Sequence, residues 1–130
     1  MTGMSDLDEL LASLDPVARD GEFVVVSVSP EHAARLAAEA RLHEDEGVTV
    51  VLRREDADAA GLAYDFVAAW ITLTVHSDLA AVGLTAAFAT ALADAGISCN
   101  VLAGYHHDHL LVPADRRDDA LEVLGALTER

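Results

Sequence analysis

Residues 70–113, WITLTVHSDLAAVGLTAAFATALADAGISCNVLAGYHHDHLLVP, constrain this chain more than any other part of it. The run at 70–75 is rich in β-branched and aromatic residues and reads as a strand. Ser77 or Asp78 then caps an apolar helix that reaches about Ala95 and stops at Gly96. Residues 97–102 and 109–112 form two further strands, joined by a turn around Gly104 of hairpin length. Pro113 ends the pairing. Strand, helix, strand, strand in that order places a helix on one face of a mostly antiparallel sheet. The polar residues Tyr105, His106, His107, Asp108 and His109 gather in the last turn.

The flanks extend the same plan. Asp115 caps a final helix whose Ala120, Leu121, Val123, Leu124 and Leu127 lie close to one face. The second half therefore reads βαββα. Near the start, Leu7, Leu10, Leu11 and Leu14 have helical spacing after Ser5, and Asp15-Pro16 closes that helix. Residues 22–28 are a short buried strand. The alanine-rich stretch 30–42 is helix-compatible, and its HEDEG end supplies a glycine stop before a strand at 48–52. Residues 55–60 form a short helix closed by Gly61, and 61–69 connect the two halves. The fold expected is α+β, a ferredoxin-like sandwich of two tandem lobes, 1–62 and 63–130, with helices on one face. Neither lobe has a segment assigned as its fourth strand. A dinucleotide-binding fold fits badly, because no glycine-rich turn follows the first strand and the hairpin near Gly104 breaks the parallel pattern.

Composition narrows the partners. Twenty-three acidic residues against eight basic ones, all arginine, leave a net charge of −15. Such a surface repels phosphate backbones and anionic lipid, so neither nucleic acid nor membrane is expected as a partner. The 25 alanines outnumber six aromatics, which favours slim helices lying close on a sheet. A single cysteine, Cys99, rules out an intramolecular disulfide and suits a reducing cytoplasm. The acidic start, MTGMSDLDELLASLD, is no secretory signal, and the uncharged stretch 79–93 is too short to span a bilayer. A cytoplasmic protein is expected.

The segment SDLAAVGLTAAFATALADAGISCNVLAGYHHDHLLVP resembles the C-terminal half of small bacterial proteins built from two tandem ACT-like lobes. LDELLASLDP, EFVVVSV and EDEGVTVVL resemble the corresponding N-terminal half. The most specific portion is Gly83-Leu84-Thr85, with Gly96-Ile97-Ser98-Cys99-Asn100-Val101 and residues 105–109. The second half is more distantly similar to lobes of cytosolic arginine sensors and of aspartokinase regulatory regions. The resemblance implies a regulatory module, not an enzyme, that binds an amino acid at a lobe or subunit interface and forms a homodimer. No cofactor is implied. In the arginine sensors an aspartate before the last strand of the motif engages the ligand, and Asp108 holds that place here.

Candidate ligand-binding residues follow. The turn with Asp78, Val82, Gly83, Leu84 and Thr85 precedes a helix whose free N–H groups would receive a carboxylate. Asp108 would pair with an amino or guanidinium group. Asn100 and Val101 lie on the adjoining strand, where Ser98, Asn100 and Leu102 share one face. Cys99 falls on the apolar side, without an activating neighbour. Two alternatives stand beside this reading. One is a metal site through residues 106–109, chiefly His107 and His109, with His76. The other is a protein-interaction module that binds nothing small.

Overall fold

The computed structural model describes residues 7–74 and 83–129. In chain order the elements are α1 (Leu7–Ala12), β1 (Pro16–Ala18), β2 (Phe23–Val28), α2 (Pro30–Ala33), β3 (Ala38–Glu44) and β4 (Gly47–Arg53). There follow α3 (Arg54–Ala59), β5 (Val67–Leu73), α4 (Leu84–Asp94), β6 (Asn100–Ala103), β7 (Asp108–Pro113) and α5 (Arg117–Ala126). Two compact units result, one of Asp20–Ala68 and one of Met1–Arg19 with Ala69–Arg130. Each has the ferredoxin-like order strand, helix, strand, strand, helix.

In the Asp20–Ala68 unit, β4 lies between β2 and β3 and is antiparallel to both. Val24, Val26, Val48, Val50 and Leu52 alternate onto one face and bury against Ala33 and Ala57 of the two short helices. The first residues of β5, Val67 and Ala68, pair with Val24 and Phe23 and serve as a short fourth strand. The expected helix over 30–42 is confined to one turn, capped by the Ser29 side chain, which accepts from His32 N–H. Residues 38–44 are instead an edge strand hydrogen-bonded to β4. Alanine's helix preference is a weak bias, and completing the ladder of β4 outweighs it. HEDEG is accordingly the turn of a β-hairpin and not a helix stop.

In the other unit, β7 lies between β5 and β6. The fourth strand comes from the chain's start: β1 runs antiparallel to β5, with Pro16 opposite Leu73 and Ala18 opposite Ile71. Ala69, Ile71, Leu73, Leu110 and Val112 project from the sheet into one core. Leu84, Phe88 and Leu92 of α4, at four-residue spacing, fill it from above with Leu10, Leu11 and Leu14 and with Ala120, Leu124 and Leu127. The Ile97 N–H returns to Leu92 O at 2.9 Å, so Ile97 belongs to the exit of α4. The strand expected from 97 begins only at Asn100. Asp115 stands in a short 3-10 turn before α5 instead of capping it.

Candidate functional site

One end of the unit containing α4 carries the hairpin between β6 and β7. Thr72, next to the end of β5, brings Oγ1 within 3.0 Å of His109 Nδ1, at the start of β7.

The start of α4 is set by Gly83, which holds a left-handed φ of 102° as the N-cap. Most side chains are strained in that conformation, and an added Cβ would also come within 3.2 Å of Leu7 Cδ2. Leu84 is buried in the core and Thr85 is exposed. The N–H groups of this first turn have no partner inside the helix, and the helix dipole adds positive potential there. An anionic group suits such an end. Asp78 and Val82 lie outside the described residues, as do Ser77 and His76.

The hairpin is built for closeness. Gly104 N–H donates to His107 O at 3.0 Å, and a Cβ on Gly104 would lie 2.7 Å from that oxygen and 3.0 Å from His109 Nε2. Only glycine leaves room for the His109 ring. Asp108 opens β7 opposite Ala103. It is partly buried, and this burial pushes its carboxyl above the usual range, with His109 opposing the shift.

Register separates the remaining candidates. Leu110 points into the core and stands opposite Val101, so Val101 and Asp108 share the helix-covered side of the sheet. Asn100 stands opposite Leu111 and Leu102 opposite His109, on the other side. Asn100 is also three residue pairs from Asp108, about 10 Å along the strand. Within this chain the register therefore separates Asn100 from Asp108.

His109 turns to the helix-free face of the sheet. Its Nδ1 lies 3.2 Å from Trp70 Nε1. An indole N–H can only donate, so Nδ1 is the acceptor, and in the neutral ring the proton is assigned to Nε2. The Arg19 guanidinium lies 4.9 Å from the Trp70 ring centroid, a cation–π arrangement. Burial first, then His107 and Arg19, hold the His109 pKa below the usual histidine value, against the pull of Asp108. Sequence reasoning placed His109 with the turn and Trp70 at the start of a strand. The shared parity of 70 and 72 in the strand was the available sign that their side chains meet a common neighbour.

Cys99 packs against the core, and burial raises its thiol pKa, which disfavours the thiolate. Among the described residues no three of His, Cys, Asp and Glu are grouped to hold a metal ion. No helix among them is long and apolar enough to cross a membrane.

Comparison with known proteins agrees with this architecture. Family models described as ACT domains match residues 2–69 and again residues 66–126. The solved structure of a Vibrio cholerae protein of unknown function is 45% identical, with a TM-score of 0.86 over 94% of this chain and 95% of that one. The regulatory subunit of aspartate kinase from Thermus flavus is 11% identical, with a TM-score of 0.60 over 88% of this chain and 95% of that one. An Agrobacterium tumefaciens protein, 15% identical, has a TM-score of 0.61 over 88% and 89% of the two chains. At such identities the latter two show a shared fold alone. No curated protein matches the sequence.

Proposed function

The chain belongs to the ACT-domain family, one domain in each half, and from that premise we propose that it is a regulatory protein that senses an amino acid. Two features of the unit containing α4 support the reading: the partly buried carboxylate of Asp108 at the start of β7 and the left-handed Gly83 that opens the first turn of α4. The amides there, with Gly83, Leu84 and Thr85 and the preceding Asp78 and Val82, receive the carboxylate. Asp108 takes the amino group or a basic side chain through charge-assisted bonds. The fold shared with the regulatory subunit of an aspartate kinase supports an amino acid as the ligand class.

Asn100 and Val101 enter this reading through a second copy. Both stand on β6, the outer strand of their sheet, and Asn100 lies on the face away from Asp108, about 10 Å along the strand. A homodimer joined along that edge would bring them to the ligand at the subunit interface. The protein acts in the cytoplasm, without catalysis, by shifting subunit packing in proportion to the ligand's differential affinity for two arrangements.

Thermal unfolding with each of the twenty amino acids and with zinc tests the reading. A ligand at about a hundred times its Kd adds about 2.7 kcal/mol, a rise of roughly 10 °C for a domain of this size. One amino acid is expected to raise the midpoint in the parent and to lose that effect in Asp108→Ala. No response to any amino acid refutes the reading. A response to zinc alone would transfer the site to the histidines of the hairpin.

A further inference from the structure

In the Asp20–Ala68 unit two arginines converge on a cavity of about 300 Å³ lined by Gly21, Glu22, Arg53, Arg54, Glu55 and Asp58. We infer that this cavity is a binding site for a small amphoteric molecule, one carrying a carboxylate and an amino group. The inference is independent of the Asp108 site. It rests on how both guanidinium groups are held and on what they leave unused.

Arg53 closes β4, and its guanidinium lies 5.0 Å from the Phe23 ring centroid. Its Nη1 donates to Asp20 O at 3.0 Å. Gly21 makes this approach possible: it has a left-handed φ of 85°, and a Cβ there would lie 2.9 Å from Arg53 Nη1. Arg54 lies 5.5 Å from the Tyr64 ring centroid, with Nε donating to Tyr64 Oη at 2.8 Å and Nη1 to Glu22 Oε1 at 2.9 Å. Tyr64 in turn donates to Asp58 Oδ1 at 2.8 Å. Ring stacking and these bonds remove side-chain freedom before any ligand arrives, which lowers the entropic cost of binding. The Nη2 group of each arginine makes no hydrogen bond to the described residues, and neither does the carboxylate of Glu55.

Charge decides the ligand class. The lining holds two guanidinium groups and three carboxylates, in a chain whose net charge is −15. A phosphate or dicarboxylate would meet the guanidinium groups but be repelled by the carboxylates and by the molecule as a whole. A simple cation would meet the reverse conflict at Arg53 and Arg54. A molecule with separated charges of both signs puts its carboxylate on the two free Nη2 groups and its ammonium towards Glu55 and Asp58. The volume lies at the small end of ligand pockets, about 300–1,000 Å³, and suits a free amino acid or a molecule of that size.

The test is an NMR titration of the full ¹⁵N-labelled chain with each of the twenty amino acids, with inorganic phosphate and with ethylamine. At least one amino acid is expected to shift the Gly21 amide and the Arg54 Nε–H resonance, with phosphate and ethylamine leaving both in place. Glu55→Gln, a substitution at an exposed side chain in the first turn of α3, should weaken that binding about tenfold, and Arg54→Gln at least as much. The inference is overturned if no amino acid at about 10 mM moves these resonances, since a millimolar site would then be mostly filled. It is also overturned if Glu55→Gln binds as tightly as the parent, or if phosphate binds more tightly than every amino acid. Shifts confined to Gly104 and Asp108 would support the hairpin site and overturn this one.

Discussion

His109 is the residue whose protonation has a built-in optical reporter. Its Nδ1 accepts from the N–H of Trp70, the chain's single tryptophan, and Thr72 Oγ1 lies 3.0 Å away. Adding a proton at Nδ1 puts two donors face to face, so the bond to Trp70 breaks. The charged groups that face this ring are Arg19, His107 and Asp108. Because the folded pKa lies below the ordinary value of 6.5, the unfolded chain binds more protons between the two values. The His109 contribution to stability is therefore full above pH 6.5 and is lost as pH falls through the folded pKa. Trp70 fluorescence is expected to change with a midpoint below 6.5, and His109→Gln to abolish that change. A midpoint at or above 6.5 would contradict the arrangement. Gly104 as a hairpin glycine was legible in the sequence. Its tighter constraint was not, because the ring of His109 reaches it only after β6 and β7 pair.

At the scale of elements, the two outer strands differ in how they treat their open edges. β3 carries Glu39, Arg41, His43 and Glu44, and such charges discourage another chain from pairing there. β6, by contrast, reads Asn-Val-Leu-Ala with Val101 36% exposed and no charge at all. The proposed homodimer is therefore assigned to β6. Val101→Lys is expected to convert the parent dimer to a monomer by analytical ultracentrifugation while the circular dichroism spectrum holds. Folding stability of the monomer should change by only about 0.5 kcal/mol, as for an ordinary surface substitution. A parent that sediments as a monomer at high concentration would remove the dimer reading. The β3 edge was also the element that the sequence disguised. Its alanines suggested a helix, yet Glu39, Arg41 and His43 alternate with Ala38, Ala40 and Leu42 at the period of a strand.

For the molecule as a whole, charge is the dominant variable. Twenty-three carboxylates against eight arginines repel one another in the folded state more than in an expanded chain. Raising NaCl from about 0.01 M to 1 M shortens the Debye length from roughly 30 Å to 3 Å and screens that repulsion. It also weakens exposed pairs such as Arg54–Glu22 and Arg116–Asp119, but these contribute at most about 1 kcal/mol each. The midpoint in differential scanning calorimetry is expected to rise by about 5 °C across that range, equivalent to roughly 1–2 kcal/mol. A fall would mean that the ion pairs outweigh the general repulsion.

By itself the sequence determined the α+β class, the βαββα order of the second half, the hairpin around Gly104 and the apolar faces of α4 and α5. These depend on local signals: the period of apolar residues, glycine at turns and proline at an end. Only the tertiary structure decided which segments complete each sheet. β1 pairs with β5 across more than fifty residues of chain, and Val67–Ala68 pair with β2, though neither segment announces its partner. Likewise the ring of His109 against Trp70, the parting of Asn100 from Asp108, and the meeting of Arg54 with Glu22 follow from register. Register is set where buried faces interlock, and a shift of one residue would turn every side chain of a strand to the other side of its sheet.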